Sequence, residues 1–433
     1  MESSESPPSM MTPGLQYYRH GLRRMTGRDI DERHRGASVL ELFFDLTFVL
    51  AFAVAGSQLA HGIADDHTGS ATTAFAIAML AILWAWTSYT WFASAFDNDD
   101  WLFRVLTLVQ MAGVIILAIG IPDMFASIEE GEQFTGGVMV AGYVVMRIAV
   151  VGQWLRVAAD DPDHRVLALA NAITVAIAQC GWVAFILLPL SLRAALVFIV
   201  IFWVIDLAGP VTAEGVGARR GAGGTPWHPH HIAERYGLMA IISIGETVTG
   251  TLAAADVIAE QRGWAIDSIV VIGAGILTSF ALWWIYFLLP SGPVLAVNRG
   301  KVIPWAYGHI VLFAAIAAVG AGLHVIGYVF DEHYHLSTLT AILSISIPVL
   351  IFMAGVWAIH TWLVGSASRN PAHAVAFGAP VVAPILAEVG WPLWACLLVV
   401  LASPVSIIVS YELGEWRSLA RQLDTALDAS DDG

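Results

Sequence analysis

The sequence predicts an all-α integral membrane protein of about twelve transmembrane helices, arranged as two parallel six-helix halves with both termini cytoplasmic. Three observations predict it. Hydrophobic residues make up 58% of the 433 and charged residues only 13%, against about a quarter charged in soluble chains; mean hydropathy is +0.72. Apolar stretches of about 18 residues or more recur along the chain, each long enough to cross a hydrocarbon core of ~30 Å. No strand-type alternation interrupts them, and lipid obliges each span to satisfy its own backbone groups, as a helix does.

Taken in order, helices are expected near 39–62, 72–94, 102–121, 136–157, 166–188 and 192–209, then near 235–254, 268–289, 305–328, 338–364, 373–389 and 392–411. Pro380, Pro384 and Pro392 crowd the last two, which form either full spans or one re-entrant pair. The positive-inside rule orients the set. With a cytoplasmic N-terminus, one side receives 17 of the 20 Lys and Arg residues, including Arg19, Arg33 and Arg369. The other receives 2, Arg193 and Arg262, and Arg147 lies mid-span. The chain then divides into a polar, Arg-rich cytoplasmic tail (1–38), a first half (39–209), a cytoplasmic linker (210–233), a second half (234–411) and an acidic cytoplasmic tail (412–433). The tail has no short apolar core with a cleavage pattern, so the first span is expected to direct insertion into the inner membrane. The Gly-, Ala- and Pro-rich stretch 208–231 reads as a flexible connection.

Weak internal similarity supports a tandem duplication. Glu41 precedes Leu59-Ala60 by 18 residues, as Glu234 precedes Leu252-Ala253. Trp86 and Tyr89, and then Arg104, recur 197 residues later as Trp283, Tyr286 and Lys301. Six spans per half make the repeats parallel.

A formal charge of −15 and dispersed basic residues exclude a general nucleic-acid binder. The two cysteines, Cys180 and Cys396, fall inside spans and read as small buried apolar residues. No cofactor motif is present, and membrane lipid is the one partner the composition implies; oligomeric state is not legible.

Charges at membrane depth are functional-site candidates by default. They are Asp45, Arg147, Asp206 and Glu246, with Glu41, Glu234 and Arg235 at helix ends. In the first span Glu41, Asp45, Phe48, Phe52, Gly56 and Leu59 share one face and Thr47, Gln58 and His61 another, so this helix is expected inside the bundle. Glu41 is placed to reach the interface, whereas Asp45 needs a partner, a proton or water. Arg235 and Glu246 share a face but lie eleven residues, roughly 16 Å, apart. Arg147 is then the natural partner for Glu246 or Asp45. His231 and Glu234, at i and i+3, carry a weak metal-binding signal and fit a cap or gate at the start of the seventh span better. His309, His324 and His360 read as packing residues, and FDNDDW (96–101) as a solvated turn.

ELFFDLTFV at 41–49, QLAH at 58–61 and HIAERYGLMAIISIGE at 231–246 resemble the signature segments of the bacterial low-temperature-requirement A family. The resemblance covers about residues 37–411. It implies Glu41, Phe44, Asp45, His231, Glu234, Arg235, Gly237, Gly245 and Glu246 as signature positions and a role in growth in the cold, but neither substrate nor mechanism. Three function classes follow in order. The first is a secondary transporter or ion-coupled permease for an unknown small solute or ion, with Asp45 and Glu246 in its pathway. The second is a non-transporting adaptation or sensor protein whose buried charges only pack helices. The third is an intramembrane enzyme on a lipid-linked substrate using His231, Glu234 and Glu246, for which no catalytic motif is recognisable.

Overall fold

The structure, a computed structural model, describes residues 21–30, 32, 35–221, 223–367 and 370–428. Arg19, Arg33, Arg369, most of the N-terminal tail and residues 429–433 lie outside the described residues. The described residues hold no strand, only an isolated bridge between Gln133 and Ser191.

The first six long helices are α1 (Val39–Ala64), α2 (Thr68–Phe96), α3 (Trp101–Glu130), α4 (Gly137–Asp160), α5 (Arg165–Leu187) and α6 (Leu192–Arg219). Then come α7 (Pro229–Gln261), α8 (Ile266–Tyr286) and the short α9 (Ser291–Val297). The chain closes with α10 (Val302–Tyr328), α11 (Thr338–Val364), α12 (Ala372–Glu388), α13 (Leu393–Ser410) and α14 (Trp416–Asp428). Among the described residues, eleven helical segments are long and apolar enough to cross a membrane, and α12 is a shorter apolar helix of 17 residues carrying Pro380 and Pro384. The protein is thus a multi-pass helical membrane protein.

Sequence chemistry sets the ends. Ser38 and Glu41 form a reciprocal capping box at the start of α1, each side chain accepting from the other's backbone N–H. Asp100 caps α3 through Phe103 N–H, and His228 caps α7 with Pro229 in its first turn. Gly131 and Gly365, at φ of 79° and 76°, end α3 and α11 in the left-handed conformation. Helices run further than the glycine and proline content suggests: α6 continues past Pro210 to Arg219, so the link to α7 is 220–228 rather than 208–231. Lipid-depth helices tolerate an internal proline where neighbours satisfy the freed carbonyl. The acidic tail includes α14, whose Leu419 and Leu423 stand one turn apart while it packs on α9 and α11.

Successive connections alternate between the two ends. At the N-terminal end, Arg23 N–H and Arg156 both bond Asp100, Gly27 N–H bonds Asp161, His228 bonds Glu32 O, and Lys301 bonds Leu363 O. At the opposite end His67 pairs with Glu129 at 2.8 Å and Arg262 lies over the Phe330 ring.

Helix α1 packs on α2, α3, α7 and α10. It is not interior all round: Leu42, Phe43, Leu46 and Leu50 are exposed on one side, because the second polar face reduces to half-buried Thr47 and Gln58 and an exposed His61. Cys396 is buried but Cys180 faces outward on α5, a correction to the reading of both as buried. As α3 and α4 do through Gly120 and Gly142, α7 and α10 approach each other closely through glycine. A Cβ on Gly320 would stand 2.5 Å from Glu246 O, and one on Gly250 would stand 2.0 Å from Gly320 O. Only glycine lets the backbones meet there.

Candidate functional site

Among the described residues, the buried charges at membrane depth form two paired clusters and one unpaired group. The first cluster sits where α1, α2 and α7 begin or end together. Asp45 and Arg235 are each the seventh residue of their helix, α1 and α7, which start at the same end. Equal depth brings them together: Arg235 Nη2 donates to Asp45 Oδ1 at 2.5 Å, and Nη1 stands 2.9 Å from Glu41 Oε1. His231 Nε2 approaches the same Glu41 oxygen at 3.0 Å. These two contacts to Glu41 have ion-pair distance without hydrogen-bond direction, and Oε2 meanwhile accepts from Ser38 N–H at 2.7 Å. Trp86 Nε1 donates to Asp45 Oδ1 at 2.7 Å, and the guanidinium lies 6.0 and 5.9 Å from the Trp86 and Tyr89 ring centres. Glu41, His231 and Arg235 are fully buried. Glu41 is therefore no interfacial anchor, contrary to expectation, because capping Ser38 and meeting Arg235 turn it inward.

This cluster reaches the 97–100 turn through Arg35, which stands 3.8 Å from Glu41 and 3.7 Å from Asp97. The turn is only partly solvated: Asp97 and Asp100 are buried, while Asp99 is exposed. Burial, with the charge of Glu41, pushes the Asp97 carboxyl up to about 6, Arg35 offsetting only part. Burial also opposes the charge on Asp100, but Arg156 and the Phe103 and Arg23 N–H groups outweigh it and hold that carboxyl down at about 2.

The second cluster lies at mid-depth in the first six helices. Arg147 of α4 pairs with Asp206 of α6 at 2.8 Å and also donates to Ser88. Asp206 further accepts from Tyr143 OH at 2.6 Å and Trp182 Nε1 at 3.3 Å. Arg147 therefore meets neither Asp45 nor Glu246. Asp45 is taken by Arg235, and Asp206 is the carboxylate within reach of α4.

Glu246 is 7% exposed and makes no hydrogen bond or ion pair among the described residues. It sits at the α7–α10 seam, its carboxylate facing Gly56 of α1, where a Cβ would lie 3.6 Å from Oε2. Of the remaining signature positions, Phe44 is buried against Tyr89, with ring centres 3.8 Å apart, and Gly237 faces Phe287. Glu234 and Gly245 are exposed. His231 and Glu234 thus diverge. His228, one turn before His231, is the α7 cap. His309 Nδ1–H donates to Trp305 O (2.7 Å), and the ring packs on Tyr236.

A cavity of about 440 Å³ adjoins the second cluster, between α2, α4, α5, α6, α10 and the 220–228 link. No local sequence pattern marks it. Trp84, Trp154, Trp227 and Tyr307 are far apart along the chain and converge only through packing.

These features define a polytopic helical membrane protein with paired charges buried at two depths. The chain belongs to the bacterial low temperature requirement A protein (LtrA) family, whose description matches residues 36–403. It is also similar to an uncharacterised protein of Rhizobium meliloti (strain 1021), 24% identical over 360 residues, 79% of this chain and 80% of that protein.

Proposed function

We propose that the protein is a secondary transporter or ion-coupled permease of the inner membrane, with both termini cytoplasmic and Glu246 as its coupling group. One observation carries the reading: Glu246 is the membrane-depth carboxylate with no partner among the described residues, while Asp45 and Asp206 each have an arginine. A bare carboxylate at this depth is costly. Its charge is met by a proton or cation arriving from solution, and exchange of that species between the two sides is what a coupled carrier does.

The position of Glu246 suits movement. It sits where α7 and α10 touch through glycine and where α1 is also close, so a small slide of α10 alters its surroundings. The two-half organisation belongs to the same proposal. In each half the first helix packs on the second long helix and on the third, as α1 does on α2 and α3 and α7 on α8 and α10. Duplicated positions have diverged in environment, since Trp86 is buried on Asp45 while Trp283 is 47% exposed. Asp45 and Asp206 then hold the helices between which the site works.

The second reading, a non-transporting protein, is favoured by the Glu41–Asp45–Arg235 cluster, whose ion pairs tie α1 to α7. A catalyst on a lipid-linked substrate would need His231 and Glu234 to converge; the first turns to Glu41 and the second to the surface. Purified full-length protein in liposomes, given a pH gradient and a panel of labelled solutes, tests the proposal. Gradient-driven uptake of at least one solute is expected, abolished in Glu246→Gln. Uptake unchanged in that variant overturns the role of Glu246; no uptake of any solute favours the packing reading.

A further inference from the structure

We propose that the 440 Å³ cavity is a binding site for a flat aromatic carboxylate, seated with its acid group on Arg147 and Trp84 and its ring among the tryptophans. A volume in this range suits a small organic molecule, and ligand pockets are mostly apolar with a few placed polar groups. The walls fit that description. Trp84, Trp91, Trp154, Trp227 and Tyr307 supply aromatic faces from α2, α4, the 220–228 link and α10.

The polar groups define the ligand's other end. Trp84 Nε1 and Arg147 Nε are both buried and lack a hydrogen-bond partner among the described residues. Their side chains are 1% and 2% exposed, and both line the cavity. Buried donors without partners are rare in folded proteins. Both are donors only, so what completes them is an acceptor oxygen.

A carboxylate is the acceptor that a guanidinium edge matches best. Arg147 and Arg299 line the cavity together with one acid, Glu214, while Asp206 pairs with Arg147 from behind. Glu214 is engaged by Thr225, accepting from its backbone N–H and its hydroxyl. Behind Arg147, Asp206 is shared among three donors, Arg147, Tyr143 and Trp182, so the guanidinium is not exhausted by it. Arg299 lies over Trp227 at 3.9 Å and bonds its carbonyl, placing a cation at the N-terminal end of the cavity. The cavity thus runs from that end to the membrane-depth pair. If the protein is a carrier, this is its solute site; binding itself does not depend on that reading.

The test is equilibrium binding to the full chain in nanodiscs, read by tryptophan fluorescence and by calorimetry. The probes are indole-3-acetate and benzoate, the acceptor-free isosteres 3-ethylindole and toluene, and tryptamine as the cation. Saturable binding of the two acids is expected, with the isosteres and tryptamine about tenfold weaker or worse. Trp84→Phe keeps the ring and loses the N–H, and Arg147→Lys keeps a cation for Asp206 and loses Nε. Each should weaken the acids about tenfold and leave the isosteres unchanged. Absence of saturable acid binding, equal binding of the isosteres, or acids unaffected in both folded variants overturns the assignment. Acid binding intact with no gradient-driven uptake would instead sink the transport reading alone.

Discussion

Arg235 and Glu246 stand eleven residues apart on one face of α7, yet their surroundings are opposite. The first is held by Asp45 and Glu41 against two aromatic rings. The second, three turns along, faces the glycine of a neighbouring helix. Where α1, α2 and α7 are locked, charge is used to hold helices; where α7 meets α10, the close neighbours of Glu246 are glycines, which carry no group to neutralise it. A buried charge therefore says little about function until its partners are counted.

The comparison can be broken at several points. Arg235→Leu should have the largest effect, leaving Glu41 and Asp45 buried without their cation at a cost of about 3–5 kcal/mol. Thermal unfolding in detergent should show a large loss of stability or no folded protein. A wild-type melting curve would mean that the cluster is not structural. Gly320→Ala comes next: its methyl would meet Glu246 O and force α10 away, at about 1–3 kcal/mol.

The turn between α2 and α3 gives a smaller, pH-dependent effect. Folded Asp97 keeps its proton up to about pH 6, whereas an unfolded aspartate has lost it by about pH 4. The folded state binds more protons in that window, so wild-type stability should fall from about pH 4 to pH 6 by roughly 2–3 kcal/mol and then level. Asp97→Asn should remove this slope. Asp100 has the opposite sign: its contribution is present above about pH 4 and lost toward pH 2, where its folded carboxyl protonates. Asp100→Asn should erase that acid limb; matching curves for variant and wild type would deny the Arg156 contact its role. Smallest is Glu246→Gln, which removes no contact and should shift stability by less than about 1 kcal/mol.

Much of this was legible in the sequence. Spans showed themselves by length and hydropathy, and Glu41, Asp45, Arg147, Asp206 and Glu246 by being charged at all. Partnership was not, because it depends on which helices neighbour each other. Arg147 was expected to meet Glu246 or Asp45 and meets Asp206 instead; the signal missed was equal depth, since Asp45 and Arg235 both stand in the second turn of helices starting at one end. The cavity had no such signal, since its rings come from four separated segments. The FDNDDW turn misled because its composition reads as solvated, while the N-terminal segment folds over it and buries Asp97 and Asp100.

The central claim is that Glu246 is left unpaired in order to carry a coupling ion. Gradient-driven solute uptake into liposomes, compared between wild type and Glu246→Gln at equal folded protein, tests it most directly. The account predicts uptake in wild type and none above background in the variant, with melting temperatures nearly equal. Equal uptake in both would contradict it.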